Sequence, residues 1–290
     1  MMYIEDNNKI IITDINSFNI KETLECGQCF RFYEKEKDLY AIVAFGKVLY
    51  VKQDKNTTKL YPCTLEEFLN IWINYFDLER DYCEIKKDLI KNDKIMEMAI
   101  DYAKGIRILN QDPFECLISF IISQNNRIPM IKKVIENISN TYGNAIIDTE
   151  YKAFPSINTL NCATIEDIQL LKTGFRAKYI KDALIKLESG NLCLTSLKDA
   201  HTTIAKEQLM TIFGVGEKVA DCVLLFSLGK YDVFPTDVWV KRVMEHFYFD
   251  GIPQNIKVIH EFATNKWRDN MGFAQQYLFN YAKAMQIGKK

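Results

Sequence analysis

The sequence predicts an α+β fold: an antiparallel sheet domain followed by a larger all-helical domain. Three observations carry this. Short β-branched and aromatic runs crowd the first sixty residues, the period changes from two to helical at Leu65, and from Ile106 onward every apolar pattern is helical. A chain of 290 residues makes one large or two ordinary domains. The boundary is expected at Lys104-Gly105, giving residues 1–104 to the sheet with its flanking helices and 105–290 to the helices.

Strands are expected over Lys9–Thr13, Phe30–Tyr33, Tyr40–Phe45, Lys47–Lys52 and Thr57–Tyr61, with a turn at Phe45-Gly46-Lys47. Leu65–Asn74 reads as helix, and Glu84–Ala103 as one continuous helix. Cys26-Gly27-Gln28-Cys29-Phe30-Arg31-Phe32 reads on its own terms as a strand entry with a turn glycine. Asp112 caps a helix with Pro113 at its first position. That helix is apolar through Ile122 and abruptly polar at Ser123-Gln-Asn-Asn-Arg127, which could be a plain exit to solvent. An amphipathic helix follows from Met130. Phe154–Asn158 reads as a loop, Thr164 as a helix cap, and Gly174 as a tight turn before Phe175 and Arg176. An aromatic and an arginine at an exposed turn suit insertion beside a base and pairing with phosphate; an ordinary helix–helix turn with a buried Phe fits as well.

At Leu209–Cys222 an apolar helix end meets Phe213-Gly214-Val215-Gly216, and a second helix starts with Glu217 and Lys218 in its first turn. Two glycines one residue apart allow positive φ and close approach of another backbone. The N–H groups of Gly216 and its neighbours then face outward at the positive end of a helix dipole, a phosphate site without a basic side chain. Lys218 and Cys222 share one helix face. An amine in that first turn should lose its proton more easily than a surface lysine, and a neutral amine is a nucleophile. Asp237 is placed to cap Val238–Phe247, which would lower its pKa and keep it ionised. Met271–Tyr281 is an aromatic helix with Gln275 and Phe279 on one face, readable as plain core.

The run from Phe213 to Cys222, followed by Phe234-Pro-Thr-Asp237-Val, resembles the helix-hairpin-helix (HhH-GPD) DNA glycosylases that carry a catalytic aspartate downstream. Within them it is most similar to the eukaryotic-type 8-oxoguanine DNA glycosylases. The resemblance covers nearly the whole chain, densest at residues 26–32, 106–128, 170–180, 209–238 and 271–281. It implies excision of a flipped base through a lysine Schiff base, with an associated AP lyase step: Lys218 is the nucleophile, and Asp237 stabilises sugar charge and helps activate Lys218. It implies a base pocket of Gly27, Cys222, Phe226, Gln275 and Phe279. The Gly27 carbonyl would meet the N7 proton that 8-oxoguanine has and guanine lacks. Asn125 would fill the space left in the duplex, with Met130, Phe175, Arg176, Gly214, Gly216, Val219 and Trp239 also on the DNA face. Eukaryotic-type members carry arginine at the position of Met130, tyrosine at that of Phe175 and histidine at that of Trp239, so opposite-base reading and one phosphate contact depart from the pattern. The alternatives are a sibling glycosylase for another damaged base and a helix-hairpin-helix scaffold that only binds DNA.

Composition sets the remaining bounds. Hydrophobic residues make up 48% and charged residues 26%, as in an ordinary globular chain. A net charge of −1 and a pI near 6.4 argue against a general nucleic-acid coat, though not against a local DNA site. Eight scattered cysteines and an acidic N-terminus without a signal or transit pattern point to an intracellular protein, in the cytoplasm or nucleoid if bacterial, with free thiols. Cys26-x-x-Cys29 lacks a second pair for zinc, and the four-cysteine iron–sulfur cluster of some relatives is missing. No cofactor is expected beyond a possible structural cation at the hairpin. The expected partner is double-stranded DNA containing 8-oxoguanine, bound by a monomer with no membrane association.

Overall fold

The computed structural model describes residues 1–13, 15–55 and 57–287. Strands β1 (Met2–Glu5), β2 (Ile10–Thr13), β3 (Phe32–Glu36), β4 (Leu39–Ala44), β5 (Lys47–Gln53) and β6 (Thr57–Tyr61) form one antiparallel sheet in the order β1-β2-β6-β5-β4-β3. The β4–β5 hairpin closes at Ala44 opposite Lys47. Its two loop residues, Phe45 (φ 51°) and Gly46 (φ 70°), both have positive φ, as a turn matched to strand twist requires. β1 was not expected; all four of its residues are exposed, so it lacks the buried face that makes a strand legible.

The expected helix over Glu84–Ala103 is two helices, Tyr82–Leu89 and Lys94–Tyr102. Asn92 takes φ 55° and Asp93 caps the second helix through Met96 N, so a local cap outweighs continuity. Asp93 is itself buried, held by Tyr248 Oη at 3.1 Å and Lys266 Nζ at 3.1 Å. Ser156 likewise caps a short helix, Ile157–Asn161, that takes over the end of the expected loop. Leu65–Tyr75 is helical with a π-helical middle at Phe68–Trp72.

Two large apolar cores result, with a small third cluster at Ala41, Val43, Val48 and Tyr151. One lies under the sheet, around Ile10, Ile42, Leu49, Leu60, Trp72 and Phe76. The larger one fills the helices, and it includes Tyr82, Leu89, Met96 and Ile100, so the helices at 82–102 pack with the helical part of the chain. The seam between the parts is hydrogen-bonded. Gln28, fully buried, donates to the carbonyls of Thr23 and Arg107 (both 2.8 Å) and accepts from Leu109 N. Gln111 then bonds the Gln28 carbonyl, and its own N–H reaches Phe226 O. A chain of satisfied buried amides is rigid, and this one fixes the Cys26–Gln28 segment against the helix that carries Lys218. Among the described residues no helix is long and apolar enough to cross a membrane.

Candidate active site

The hairpin forms as its glycines dictate, with one difference. Gly214 has φ 80°, and a Cβ there would lie 2.5 Å from the Tyr179 ring, so both backbone and packing demand glycine. Gly216 is extended (φ −101°), caps the helix Glu217–Ser227, and has open space where a Cβ would be. It leaves room for an approaching group and needs no left-handed backbone. Val219, expected on the DNA face, has a buried side chain and donates its N–H to Gly216 O at 3.1 Å.

Two residues past Gly216, the half-buried Lys218 Nζ lies 3.5 Å from Ser123 Oγ and 5.2 Å from the centre of the Phe120 ring. Ser123 gives its proton to Phe120 O at 2.7 Å, so a lone pair is free to receive Lys218. Asp237 faces the same space. Its carboxylate caps Val238–Tyr248 by accepting from Trp239 N and Val240 N, both at 2.9 Å. The expectation that capping would hold its pKa down is corrected: desolvation outweighs the helix N–H groups and Lys218, and the value is raised.

Lys218 and Asp237 stand at the mouth of a narrow cavity of about 60 Å³, lined further by Gly27, Phe120, Cys222, Phe226, Gln275 and Phe279. All five residues expected to hold the base therefore meet in one place. Gly27 (φ 87°) faces Phe279, and a Cβ there would lie 3.0 Å from that ring. Gln276 donates to Cys26 O at 2.9 Å and anchors this wall to the C-terminal helix Met271–Ala284. Phe226 stacks on Phe120 at 5.4 Å, and burial pushes the Cys222 thiol up to about 11, so both walls are neutral. Gln275 is 4% exposed and its Oε1 has no hydrogen-bond partner among the described residues. An unpaired buried amide oxygen is costly and rare; here it lines a cavity that a donor can enter.

Beside the mouth runs a cleft of about 480 Å³ lined by Asn125, Val238, Trp239, Lys241 and Ile256 among others. Asn125 is exposed at φ 47°. Phe175 and Met130 are also exposed, at 51% and 44%. Arg176 is not. It is 8% exposed, and its guanidinium donates to Thr173 O, Gln124 O and Asn125 O. The expected phosphate ligand is a brace that holds the Asn125 turn, and of Phe175 and Arg176 it is Phe175 that projects from the Gly174 turn. Trp239 is partly buried with Arg242 5.5 Å from its ring centre. Ser123, Phe120, Pro235, Gln276 and Lys241 were not singled out from the sequence. Ser123 opens the polar exit of a recognised helix and Phe120 lies about one turn before it, which was a usable signal; the others are brought in by tertiary packing. Among the described residues no group of three or more His, Cys, Asp or Glu is placed to hold a metal.

Gly27→Ala is expected to lower base excision at least about tenfold, since left-handed backbone costs a non-glycine residue roughly 1–2 kcal/mol and the methyl meets Phe279. Strand cleavage at a preformed abasic site, where no base is seated, should change far less. Equal losses in both assays would show that the substitution disturbs more than the pocket.

Comparison with known proteins places the chain in a family. Residues 10–117 match the 8-oxoguanine DNA glycosylase N-terminal domain family, and residues 118–268 match the HhH-GPD superfamily of base excision DNA repair proteins. A probable N-glycosylase/DNA lyase of Methanothermobacter thermautotrophicus is 30% identical over 72% of this chain and 71% of that protein. The N-glycosylase/DNA lyase OGG1 of Arabidopsis thaliana is 31% identical over 80% of this chain and 65% of that protein. The Clostridium acetobutylicum 8-oxoguanine glycosylase/lyase, solved with double-stranded DNA containing cytosine opposite 8-oxoguanine, superposes with a TM-score of 0.95 at 42% identity, covering 99% of each chain.

Proposed function

The chain belongs to the HhH-GPD superfamily of base excision DNA repair proteins, and we infer that it is a bifunctional DNA N-glycosylase/lyase that removes 8-oxoguanine from duplex DNA. The observation that carries the reading is one juxtaposition: a lysine amine and a half-buried carboxylate at the mouth of a cavity whose wall presents an unpaired amide oxygen. The target base must leave the stack to reach it. Seated between Gly27 and Phe279, 8-oxoguanine offers N7–H to the Gly27 carbonyl and its Watson–Crick N–H donors to Gln275 Oε1. Guanine lacks the first of these donors, and an unmatched buried acceptor discriminates against it.

The reaction balances without an electron carrier. As the C1′–N9 bond breaks, its electron pair leaves with the base, which takes up a proton. Positive charge grows on the sugar beside Asp237 and is stabilised by it. The Lys218 lone pair bonds to C1′, the nitrogen gives up a proton, the C1′–O4′ electron pair leaves with O4′, which takes up a proton, and a protonated imine forms. Loss of a proton from C2′ then expels the 3′ phosphate. The protein is proposed to act as an intracellular monomer needing no cofactor, with the hairpin carbonyls open to a structural cation. The reading is tested by single-turnover assays on duplexes that each carry one lesion: 8-oxoguanine, an oxidised pyrimidine or an alkylated purine. It requires 8-oxoguanine to be excised fastest, and faster release of another base would assign the site to a sibling activity.

Opposite-base selectivity should be weak. Met130 has no donor for cytosine's acceptors, and the Arg176 donors are engaged with carbonyls. A missing bidentate reader forgoes roughly 1–3 kcal/mol of discrimination. Excision rates opposite cytosine, adenine, guanine and thymine are expected to agree within about tenfold, and Met130→Arg with Phe175→Tyr to restore part of a cytosine preference. A strict cytosine requirement in the unsubstituted protein would mean that another residue reads the base.

A further inference from the structure

The segment Phe234–Asp237 carries a catalytic carboxylate yet belongs to no helix or strand. What fixes it comes from one neighbouring helix, Ile256–Trp267. The Phe234 ring stacks on Trp267 at 5.6 Å with an 18° interplanar angle, and His260 meets its edge at 6.4 Å. Thr236, immediately before Asp237 and 7% exposed, donates its hydroxyl proton to Phe234 O at 2.9 Å. Its lone pairs are then available to one further group, His260 Nε2 at 3.0 Å. With the hydroxyl proton committed to a carbonyl, the pair is satisfied only if the imidazole carries its proton on Nε2. Desolvation and the nearby Lys206 charge hold the imidazole below its ordinary pKa, against the smaller opposing pull of Glu217 and the Phe234 carbonyl. At neutral pH it is therefore a neutral donor.

We propose that His260 is a positioning residue for the excision step: by donating to the Thr236 hydroxyl it sets where the Asp237 carboxylate stands beside the sugar. Among the described residues the Asp237 carboxylate otherwise bonds the N–H groups of Trp239 and Val240, the second and third of its own helix, which fix it to that helix and leave its placement relative to Lys218 to the preceding loop. His260 lines neither the base cavity nor the DNA cleft, so its effect has to pass through this loop. A carboxylate moved by a fraction of an ångström still binds and caps, but stabilises the transition state less.

The inference rests on Asp237 being the catalytic carboxylate. The test is single-turnover excision and lesion-DNA affinity for His260→Ala, His260→Gln, Thr236→Val and the Ala/Val pair, with thermal unfolding of each. Thr236→Val keeps shape and removes the acceptor, so it stands in if His260→Ala folds poorly. His260→Ala and Thr236→Val should each slow excision about tenfold with affinity unchanged. The pair should be no slower than either single variant, and Gln, whose amide N–H can reach the place of Nε2, should restore most of the rate. In an Asp237→Asn background, His260→Ala should add nothing. Unchanged excision in the single variants, additive losses, failure of Gln to restore the rate, or a further loss on the Asn background each overturns the proposal. Full activity of Asp237→Asn alone would instead overturn the catalytic reading on which it depends.

Discussion

Asp237→Asn is expected to slow excision by about 10²–10³-fold, the scale of losing one preorganised electrostatic group, while lesion DNA still binds. Asparagine is as good a helix cap as aspartate, so the bonds to Trp239 N and Val240 N survive in kind and the helix should not fray. What disappears is the negative charge beside the sugar. The folded protein holds this carboxyl above its ordinary pKa, because burial outweighs the helix N–H groups and Lys218. A group so raised favours folding below its unfolded pKa and loses that contribution as pH rises through the folded value. At neutral pH, then, the carboxylate is retained at a cost in stability, and the Asn variant should unfold at the same or a slightly higher temperature. The active form is the carboxylate, so wild-type excision should fall on the acid side at a pH above the range of a surface aspartate. The Asn variant should lose that limb. Normal excision by Asp237→Asn would reduce the residue to a cap.

Lys218→Gln is expected to abolish imine formation and to lower excision by roughly 10⁴-fold or more, as when a covalent nucleophile is removed. Glutamine keeps a polar, unbranched chain beside the Phe120 and Cys222 walls, so these need not collapse. Lesion binding should persist, since the Asn125 turn and the hairpin amides do not depend on the amine. Excision at the wild-type rate with only the lyase step lost would mean that water, activated at Asp237, performs the displacement.

These two residues were legible in the sequence because they sit in short-range patterns: a lysine two after a turn glycine, and an aspartate capping the next long helix. The sheet, the long helices and the Phe45-Gly46 turn were legible for the same reason. The base pocket was not readable from periodicity. Gly27 and Phe279 belong to opposite ends of the chain, and tertiary contacts such as the Gln28 and Gln276 hydrogen bonds bring them face to face; the family resemblance supplied what local pattern could not. Arg176 shows the limit in the other direction. Its turn is exposed, as the sequence indicated, but its guanidinium folds back onto carbonyls of a distant segment, a choice no local pattern encodes. The pKa of Asp237 was misjudged because capping is a local property and burial is not.

The most direct test is borohydride trapping of the wild-type protein on an 8-oxoguanine duplex, followed by mass spectrometry of the proteolysed adduct. Covalent attachment of the sugar to the peptide that contains Lys218 is the predicted result. No adduct despite full base release, or an adduct on a different lysine, would contradict the assignment of Lys218 at the mouth of this cavity.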